Sequence, residues 1–217
     1  MIAIKIIVVL SFIVMIYVNY LANSKPLGGI STGEISNKYN TLFTPSGFTF
    51  SIWGIIYLLV FAFVITFVIA KPDASTNMEL LGILFIVTCI INIGWLFCWH
   101  FDKILLSTIV MILFLLTLLS ILQFTSPQGI AYATFSVYSG WISVALIANI
   151  SILLFKYNIP IFMRNESLWL FIILFISVVI GGYMVLIQKN YFYGAVFLWA
   201  YFGIAMKFKN MKKERIS

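Results

Sequence analysis

Residues 104–123 read ILLSTIVMILFLLTLLSILQ, and this stretch decides the fold class. It carries no charge and is as long as the ~20 residues that a membrane-spanning helix needs. Inside a bilayer every backbone N–H and C=O must be paired within the protein, so only helices and closed barrels can span. A barrel strand would alternate apolar and polar residues, whereas this run is mostly apolar and shows no such alternation. The stretch therefore predicts a transmembrane α-helix.

The composition of the whole chain extends this prediction to a polytopic bundle. Of 217 residues, 63% are hydrophobic and only 9% are charged, and the mean hydropathy is +1.13. A soluble domain carries roughly 25% charged residues, so a soluble globular fold is excluded. We predict an all-α transmembrane bundle of seven spans. The spans cover residues 2–22, 48–70, 80–100, 104–123, 131–155, 167–187 and 191–206.

The first span has an alternative interpretation as a cleaved signal peptide. Lys5 supplies a short basic start and an apolar stretch follows it. That stretch exceeds the ~7–15 residues of a signal-peptide core, and no clear small-x-small cleavage site follows it. The pattern favours a helix that is retained in the protein.

Basic residues lie mostly on one side of the predicted spans. Ten of the 13 Lys and Arg residues fall in the loops that follow the odd-numbered spans and in the tail, against three on the other side. Because cytoplasmic loops carry an excess of Lys and Arg, the tail and the loop 23–47 are expected in the cytoplasm, with the N-terminus outside. A nucleic-acid footprint is the competing interpretation, but a short basic tail beside a membrane helix is more typical of an anchor to anionic lipid.

Three predicted helices carry aromatic and polar residues at helical spacing, which places each set on one face. The sets are Trp53 and Tyr57; Asn92, Trp95 and Trp99; and Tyr138, Trp141, Ala145 and Asn149. Such faces can line a ligand pocket between helices. They can equally be interfacial aromatic belts, to which we assign Trp169, Tyr191 and Trp199, or polar contacts that hold helices together. Spacing alone leaves both interpretations open.

Three segments resemble the TspO/MBR family, also called tryptophan-rich sensory proteins or translocator proteins. Residues 45–57, PSGFTFSIWGIIY, resemble the Pro-Pro-Gly-Trp-x-Phe-Gly and Trp-x-x-x-Tyr patterns that open the family's second helix. Residues 91–95, INIGW, are similar to its Leu-Asn-x-x-Trp segment. Residues 137–149, VYSGWISVALIAN, are similar to its Pro-Tyr-x-x-Trp-x-x-x-Ala-x-x-x-Asn segment. The resemblance covers about residues 1–155, which hold five spans as the family does.

The chain also departs from the family pattern. Ser46, Phe48, Ser51 and Val137 replace the family's Pro, Trp, Gly and Pro. Two further spans follow that the standard family lacks, so the chain resembles a divergent member. The expected organisation is a five-helix TspO-like core at 1–155, two additional helices at 156–206 and a basic cytoplasmic tail at 207–217.

The resemblance implies a bundle that binds flat, apolar ligands such as porphyrins, other tetrapyrroles and sterol-like molecules, with a sensory or stress-linked regulatory role. The loop 23–47 would cover the pocket as a lid. By resemblance, the pocket residues are Trp53, Tyr57, Asn92, Trp95, Tyr138, Trp141, Ala145 and Asn149, and the lid and motif residues are Pro45, Gly47, Phe48 and Phe50. No cofactor is expected to be required, and porphyrin or haem would enter as ligand.

Catalytic chemistry has little support in this sequence, which holds six acidic residues and one histidine. No carboxylate pair and no metal-ligand spacing falls within a predicted span, so we assign no catalytic and no metal-binding residue. His100 is a candidate haem ligand, but a lone His at a helix end is more often an interfacial polar residue. Porphyrin breakdown, which has been proposed for the family, and transport of small hydrophobic molecules stay open as alternatives.

The expected location is the cell membrane of a bacterium. The expected partners are the bilayer and a hydrophobic small molecule, with a homodimer left open and nucleic acid not expected.

Overall fold

The computed structural model describes residues 1–24, 27–39, 41–71, 77–160 and 165–214, with backbone alone at 28, 37 and 211–214. This part of the chain contains eight α-helices and two short 3₁₀ helices. The α-helices are α1 (Ile2–Ser24), α2 (Thr32–Tyr39), α3 (Ile52–Ile69), α4 (Met78–His100), α5 (Ile104–Leu122), α6 (Ile130–Lys156), α7 (Glu166–Leu186) and α8 (Tyr191–Glu214). The 3₁₀ helices are Leu27–Gly29 and Gly47–Ser51, and the second leads directly into α3.

The predicted transmembrane helical bundle is confirmed. Six helical stretches in the described residues are long and apolar enough to cross a membrane: Ile2–Ser24, Gly47–Ile69, Met78–His100, Ile104–Leu122, Ile130–Lys156 and Glu166–Leu186. The seventh predicted span, 191–206, forms the first part of α8, which is not among these six. Its apolar part ends before Lys207 and contains three Tyr, two Gly and one Trp. The count of seven spans therefore stays a prediction.

Contacts between helix ends show that α1 and α3 run in opposite directions and which loops share an end of the bundle. At one end of the bundle, Lys38 after the first span meets Asp102 between α4 and α5, 3.2 Å away. At the other end, Lys5 Nζ donates hydrogen bonds of 2.7 Å to the carbonyls of Val68 and Ala70. The long loop and the α4–α5 turn thus share one end of the bundle.

Helix α6 lies at the centre of the bundle and packs against α3, α5 and α8, while α4 packs against α1 and α5. Phenylalanine rings fill the middle of this core, with Phe63 and Phe135 centred 4.8 Å apart and Phe63 and Phe85 5.1 Å apart. Helices α1 and α7 are peripheral. In α7 the buried positions are Ile173, Ser177 and Gly181, and most of its apolar side chains face outward, as expected for a lipid-exposed helix.

Helix α8 contributes to the same core as the first five spans. Its residues Tyr193, Val196, Phe197 and Ala200 are buried against that core. The approach to α6 is close at Gly140, where an added Cβ would lie 3.1 Å from both the Tyr193 carbonyl oxygen and Val196 Cβ. Small residues allow such contacts between membrane helices, so α6 and α8 form a tight pair.

The sequence analysis did not predict α2, which lies inside the loop 23–47. Its start is a reciprocal capping arrangement: Ser31 N donates to the Glu34 carboxylate at 2.6 Å, and Glu34 N donates to Ser31 Oγ at 3.3 Å. The pattern Ser-x-x-Glu is a known helix-start signature. This helix forms the roof over the site described next.

Candidate ligand-binding site

An aromatic pocket lies between α3, α4 and α6, beneath α2. Its cavity volume is about 50 Å³, well below the roughly 300–1,000 Å³ that small-molecule sites occupy, so its side chains must move apart before a ligand can enter. Seven residues that the sequence analysis placed in the pocket or its lid line this space: Pro45, Phe50, Trp53, Trp95, Trp141, Ala145 and Asn149. Three separate helices therefore deliver the predicted residues to one place.

Trp53 is the hub of the aromatic wall. Its ring stacks on Tyr57 with centroids 5.6 Å apart and on Trp95 at 6.4 Å. It meets Trp141 edge to face at 6.3 Å and Tyr138 at 6.0 Å. Both stacked and edge-to-face arrangements are favourable for aromatic rings, so the wall is held in shape by its own contacts.

A second, more polar cleft adjoins the pocket between α1 and α3. Its cavity volume is about 450 Å³, and Asn19, Asn23 and Tyr57 are among its lining residues. Gly47 of the predicted lid also lines this cleft. The cleft and the pocket share four wall residues: Thr32, Phe50, Trp53 and Trp95. The aromatic wall therefore has an apolar side and a side with amide and hydroxyl groups.

Asn92 and Tyr138 lie beneath the pocket and line neither it nor the cleft, which differs from the prediction. Both are fully buried in a hydrogen-bond chain. Tyr57 Oη donates to Asn19 Oδ1 at 2.8 Å, Asn19 Nδ2 donates to Asn92 Oδ1 at 2.6 Å, and Asn92 Nδ2 donates to Tyr138 Oη at 3.1 Å. Buried polar groups need such partners, so Asn92 supports the wall from behind by joining α1, α4 and α6.

Asn149 lines the pocket but uses its polar groups to hold α6 against α5. Its Nδ2 donates to Ser107 Oγ at 2.7 Å, and its Oδ1 accepts from Thr108 Oγ1 at 2.7 Å. Both ends of the amide are thus occupied. Its role at the pocket wall is to fix the position of α6.

Two indole N–H groups at the pocket are without hydrogen-bond partners among the described residues: Trp95 Nε1 and Trp141 Nε1. The two side chains are 5% and 2% exposed. Leaving a buried donor unpaired costs about 1–3 kcal/mol. In contrast, Trp99 Nε1, at the edge of the same pocket, donates to the Thr32 carbonyl at 3.2 Å. The two unpaired donors therefore belong to residues of the pocket wall, and both nitrogen atoms are buried there.

The roof helix α2 is tied down at its end by Asp102. Tyr39 Oη donates to Asp102 Oδ1 at 2.5 Å, and the ammonium groups of Lys38 and Lys156 lie 3.2 and 3.1 Å from Oδ2. Burial raises the pKa of the Asp102 carboxyl, but hydrogen bonds from these three side chains outweigh it and hold that pKa below its usual value. Asp102 therefore stays ionised near neutral pH and joins α2 to α6.

His100 contacts the roof and does not line the pocket. Its Nδ1 lies 2.8 Å from the Leu96 carbonyl oxygen. Its Nε2 lies 3.3 Å from the Ala22 carbonyl oxygen and 3.4 Å from Thr32 Oγ1. Both ring nitrogens thus face oxygen atoms of α1, α2 and α4. This arrangement suits a residue that joins helix ends.

Among the described residues, no group of three or more His, Cys, Asp or Glu side chains is placed to hold a metal ion.

Phe48, predicted as a lid residue, faces away from the pocket. Its ring is 41% exposed and packs edge to face on Trp199 and Phe202 of α8, at 5.5 and 5.7 Å between centroids. Trp199, which we expected in an interfacial belt, donates from its Nε1 to the Thr49 carbonyl at 2.9 Å. Phe48 follows Gly47 at the start of the 3₁₀ helix, whose opposite side, with Phe50, faces the pocket.

A family model described as TSPO-like protein matches residues 5–217. The chain belongs to the TSPO-like protein family. The match extends beyond residue 155 and includes α7 and α8. No curated protein and no solved structure matches the chain. The similarity of this TSPO-like protein to its family therefore covers nearly the whole chain.

The pocket of this TSPO-like protein includes residues that the sequence analysis did not assign to it. They are Thr32, Ser36, Trp99, Met111, Val144, Ala148 and Ile152. Val144, Ala148 and Ile152 lie on α6 at helical spacing from Trp141 and Ala145. Their place on the same helix face could therefore have been predicted from the sequence. Thr32 and Ser36 depend on α2, and Met111 of α5 carries no aromatic or polar signal.

Proposed function

We propose that this TSPO-like protein binds a flat, apolar ligand in the aromatic pocket, with a porphyrin or haem as the first candidate and a sterol-like molecule as the second. Ligand occupancy would serve a sensory or stress-linked regulatory role. The observation that carries this proposal is the pair of unpaired indole donors, on Trp95 and Trp141, beside the Trp53 ring cluster.

The chemistry of the pocket suits such a ligand in two respects. Flat aromatic molecules gain favourable stacking and edge contacts with Trp rings, and a few polar groups fix their orientation. In addition, the lining residues carry no charged side chain. The part of the ligand that enters the pocket is therefore expected to be neutral and to carry hydrogen-bond acceptors such as ring nitrogens or carbonyl oxygens.

Binding can be tested by quenching of tryptophan fluorescence when purified protein in detergent is titrated with protoporphyrin or haem. We expect saturable quenching, because four Trp residues line the pocket. Protein unfolded in denaturant and free N-acetyltryptophanamide serve as controls for light absorption by the porphyrin. Folded protein that shows no saturable quenching beyond these controls would overturn the proposal.

The two alternative functions give different results in related assays. A transporter would move labelled porphyrin into sealed vesicles in a saturable way, whereas a binding protein would only retain it. A porphyrin-degrading protein would bleach the porphyrin absorption band over time. We propose binding as the function and no catalytic step, because the pocket lining holds no acid, base or nucleophile of the usual catalytic types apart from the hydroxyls of Thr32 and Ser36.

We further propose that the protein lies in a bacterial plasma membrane with its C-terminus in the cytoplasm. The described end of the bundle with Lys38, Lys103, Lys156, Lys207 and Lys209 is richer in basic residues than the end with Lys5, Lys71 and Lys189. Cytoplasmic loops are enriched in such residues. Two reporter enzymes can be fused after Ser217, one that is active only in the cytoplasm and one that is active only in the periplasm. We expect activity from the cytoplasmic reporter. Activity of the periplasmic reporter would contradict this orientation.

The bilayer is a partner by virtue of the membrane-spanning helices. The small-molecule ligand and a homodimer stay predictions.

A further inference from the structure

Residues 41–49 form the segment between α2 and the start of α3, and we call them the mouth segment because they carry Pro45 at the pocket wall. Thr41, Phe43, Thr44, Pro45 and Thr49 in this segment are buried. The segment has little regular structure of its own apart from the 3₁₀ turn at its end. Its position must therefore come from contacts with other parts of the chain.

Two charged residues from α7 and α8 hold the first part of the mouth segment. The Glu166 carboxylate accepts a hydrogen bond of 2.6 Å from Leu42 N, and Lys207 Nζ donates one of 2.9 Å to the Thr41 carbonyl. Hydrogen bonds with a charged partner are about twice as strong as neutral ones. Glu166 is the first residue of α7 and Lys207 lies in the last third of α8, so two separate helices act on adjacent residues.

Helix α8 also holds the last part of the mouth segment through backbone contacts. Ser46 N donates to the Gly203 carbonyl at 3.2 Å, and Trp199 Nε1 donates to the Thr49 carbonyl at 2.9 Å. A Cβ added at Gly203 would lie 2.1 Å from Thr49 Oγ1 and 2.8 Å from Thr49 Cγ2. Only glycine allows α8 to approach the segment this closely.

Apolar packing fixes the middle of the mouth segment in the same way. Phe43 is 3% exposed and packs in a separate cluster with Ile173 of α7 and Ile204 of α8. The bonds at residues 41–42 and 46–49 therefore flank Pro45 on both sides, and the packing of Phe43 lies between them. The contacts that position this wall of the pocket converge from α7 and α8.

We infer that α7 and α8 act as a clamp that positions the mouth segment and so sets access to the aromatic pocket. Glu166, Lys207 and Gly203 are the positioning residues. None of them lines the pocket, so their effect passes through residues 41–49. The effect on ligand binding rests on the proposed function, whereas the positioning itself can be tested without any ligand.

The test uses a Thr44→Cys reporter in full-length protein from which the native thiols are removed by Cys89→Ala and Cys98→Ala. Thr44 is 1% exposed, so a water-soluble maleimide should label the reporter slowly while the clamp is intact. The double variant Glu166→Ala with Lys207→Met removes both charged bonds. We expect its labelling rate to rise by at least about tenfold, because the loss of even one hydrogen bond to a charged group shifts an opening equilibrium by that factor.

Matched controls separate the clamp from general effects of substitution. Lys209→Met changes the same residue type on the same helix, where the side chain is exposed, and should leave the rate within about twofold of the reporter protein. Gly203→Val should accelerate labelling, while Gly182→Val should not, because no atom lies within 4 Å of a Cβ added at Gly182. If Gly203→Val does not fold, the charge variants still decide the question.

Binding of protoporphyrin provides the second readout and keeps the two proposals apart. Faster labelling together with weaker porphyrin quenching supports both the clamp and the binding function. Faster labelling in a protein that never binds porphyrin supports the clamp and removes the proposed ligand. Equal labelling rates in the clamp variants and the controls would overturn the inference, whatever the porphyrin result.

Discussion

Replacing Trp141 by alanine is expected to weaken porphyrin binding by about tenfold or more. The Trp141 side chain is 2% exposed and lines the pocket with one of its two unpaired donors. Its loss removes an aromatic contact, worth about 0.5–1.5 kcal/mol beyond area burial, and a hydrogen bond worth roughly another 0.5–1.5 kcal/mol. Since 1.4 kcal/mol is a factor of ten, the two terms together set the expected loss. The measurement is the dissociation constant from fluorescence quenching.

The variant Trp141→Phe separates the ring from its donor. Phenylalanine keeps most of the aromatic wall but has no N–H group, so we expect an affinity between those of the original protein and Trp141→Ala. The matched control is Trp169→Phe, which removes one fluorophore outside the pocket, where Trp169 Nε1 donates to Ser151 Oγ at 3.3 Å. Its affinity should be nearly unchanged.

Folding must be checked in the alanine variant, because truncation of a buried Trp costs about 3–5 kcal/mol of stability. Trp141→Phe avoids most of that cost and keeps the test valid if the alanine variant unfolds. Equal losses of affinity in Trp141→Phe and Trp169→Phe would show that the ligand does not contact Trp141, and would leave the pocket without support as the binding site.

The membrane fold could be predicted from the sequence because long apolar runs have few other solutions in a bilayer. Spacing of aromatic and polar residues also placed Trp53, Trp95 and Trp141 on faces that meet in one pocket. The spacing of residues in the sequence could not show which polar residues face the pocket. Asn92 and Asn149 have the same residue type and lie on similar faces, yet Asn92 bonds to Asn19 and Tyr138 behind the wall.

Contacts between residues far apart in the chain explain the other differences from the sequence analysis. Trp199, which we assigned to an interfacial belt, bonds to Thr49, which is 150 positions earlier in the chain. The separation of the chain into a core at 1–155 and two additional helices also stays a prediction. In the folded chain, Tyr193 and Phe197 of α8 are buried in the same core as α6, which no local sequence pattern reveals.

Replacing Asn92 by leucine is expected to destabilise the bundle by about 1–3 kcal/mol. Leucine has a similar volume but leaves Asn19 Nδ2 without one of its acceptors and Tyr138 Oη without its donor. A single interhelical hydrogen bond in a membrane averages only about 0.6 kcal/mol. The larger value is expected here because two bonds are lost and the groups left behind are fully buried. Thermal unfolding in detergent measures the change.

A double-mutant cycle shows whether this loss comes from the network or from packing alone. Tyr138→Phe removes only the hydroxyl that accepts from Asn92 Nδ2. If the chain of bonds acts as a unit, Asn92→Leu and Tyr138→Phe together should destabilise the protein by less than the sum of the two single changes, with a coupling of about 0.5 kcal/mol or more. The control Asn23→Leu changes the same residue type near the end of α1, where Asn23 Nδ2 donates to the Asn19 carbonyl of its own helix, and should have a small effect. Strict additivity would mean that Asn92 contributes to stability through its shape. In that case the network would not explain how Tyr57, which bonds to Asn19 at 2.8 Å and stacks on Trp53, is held at the pocket wall.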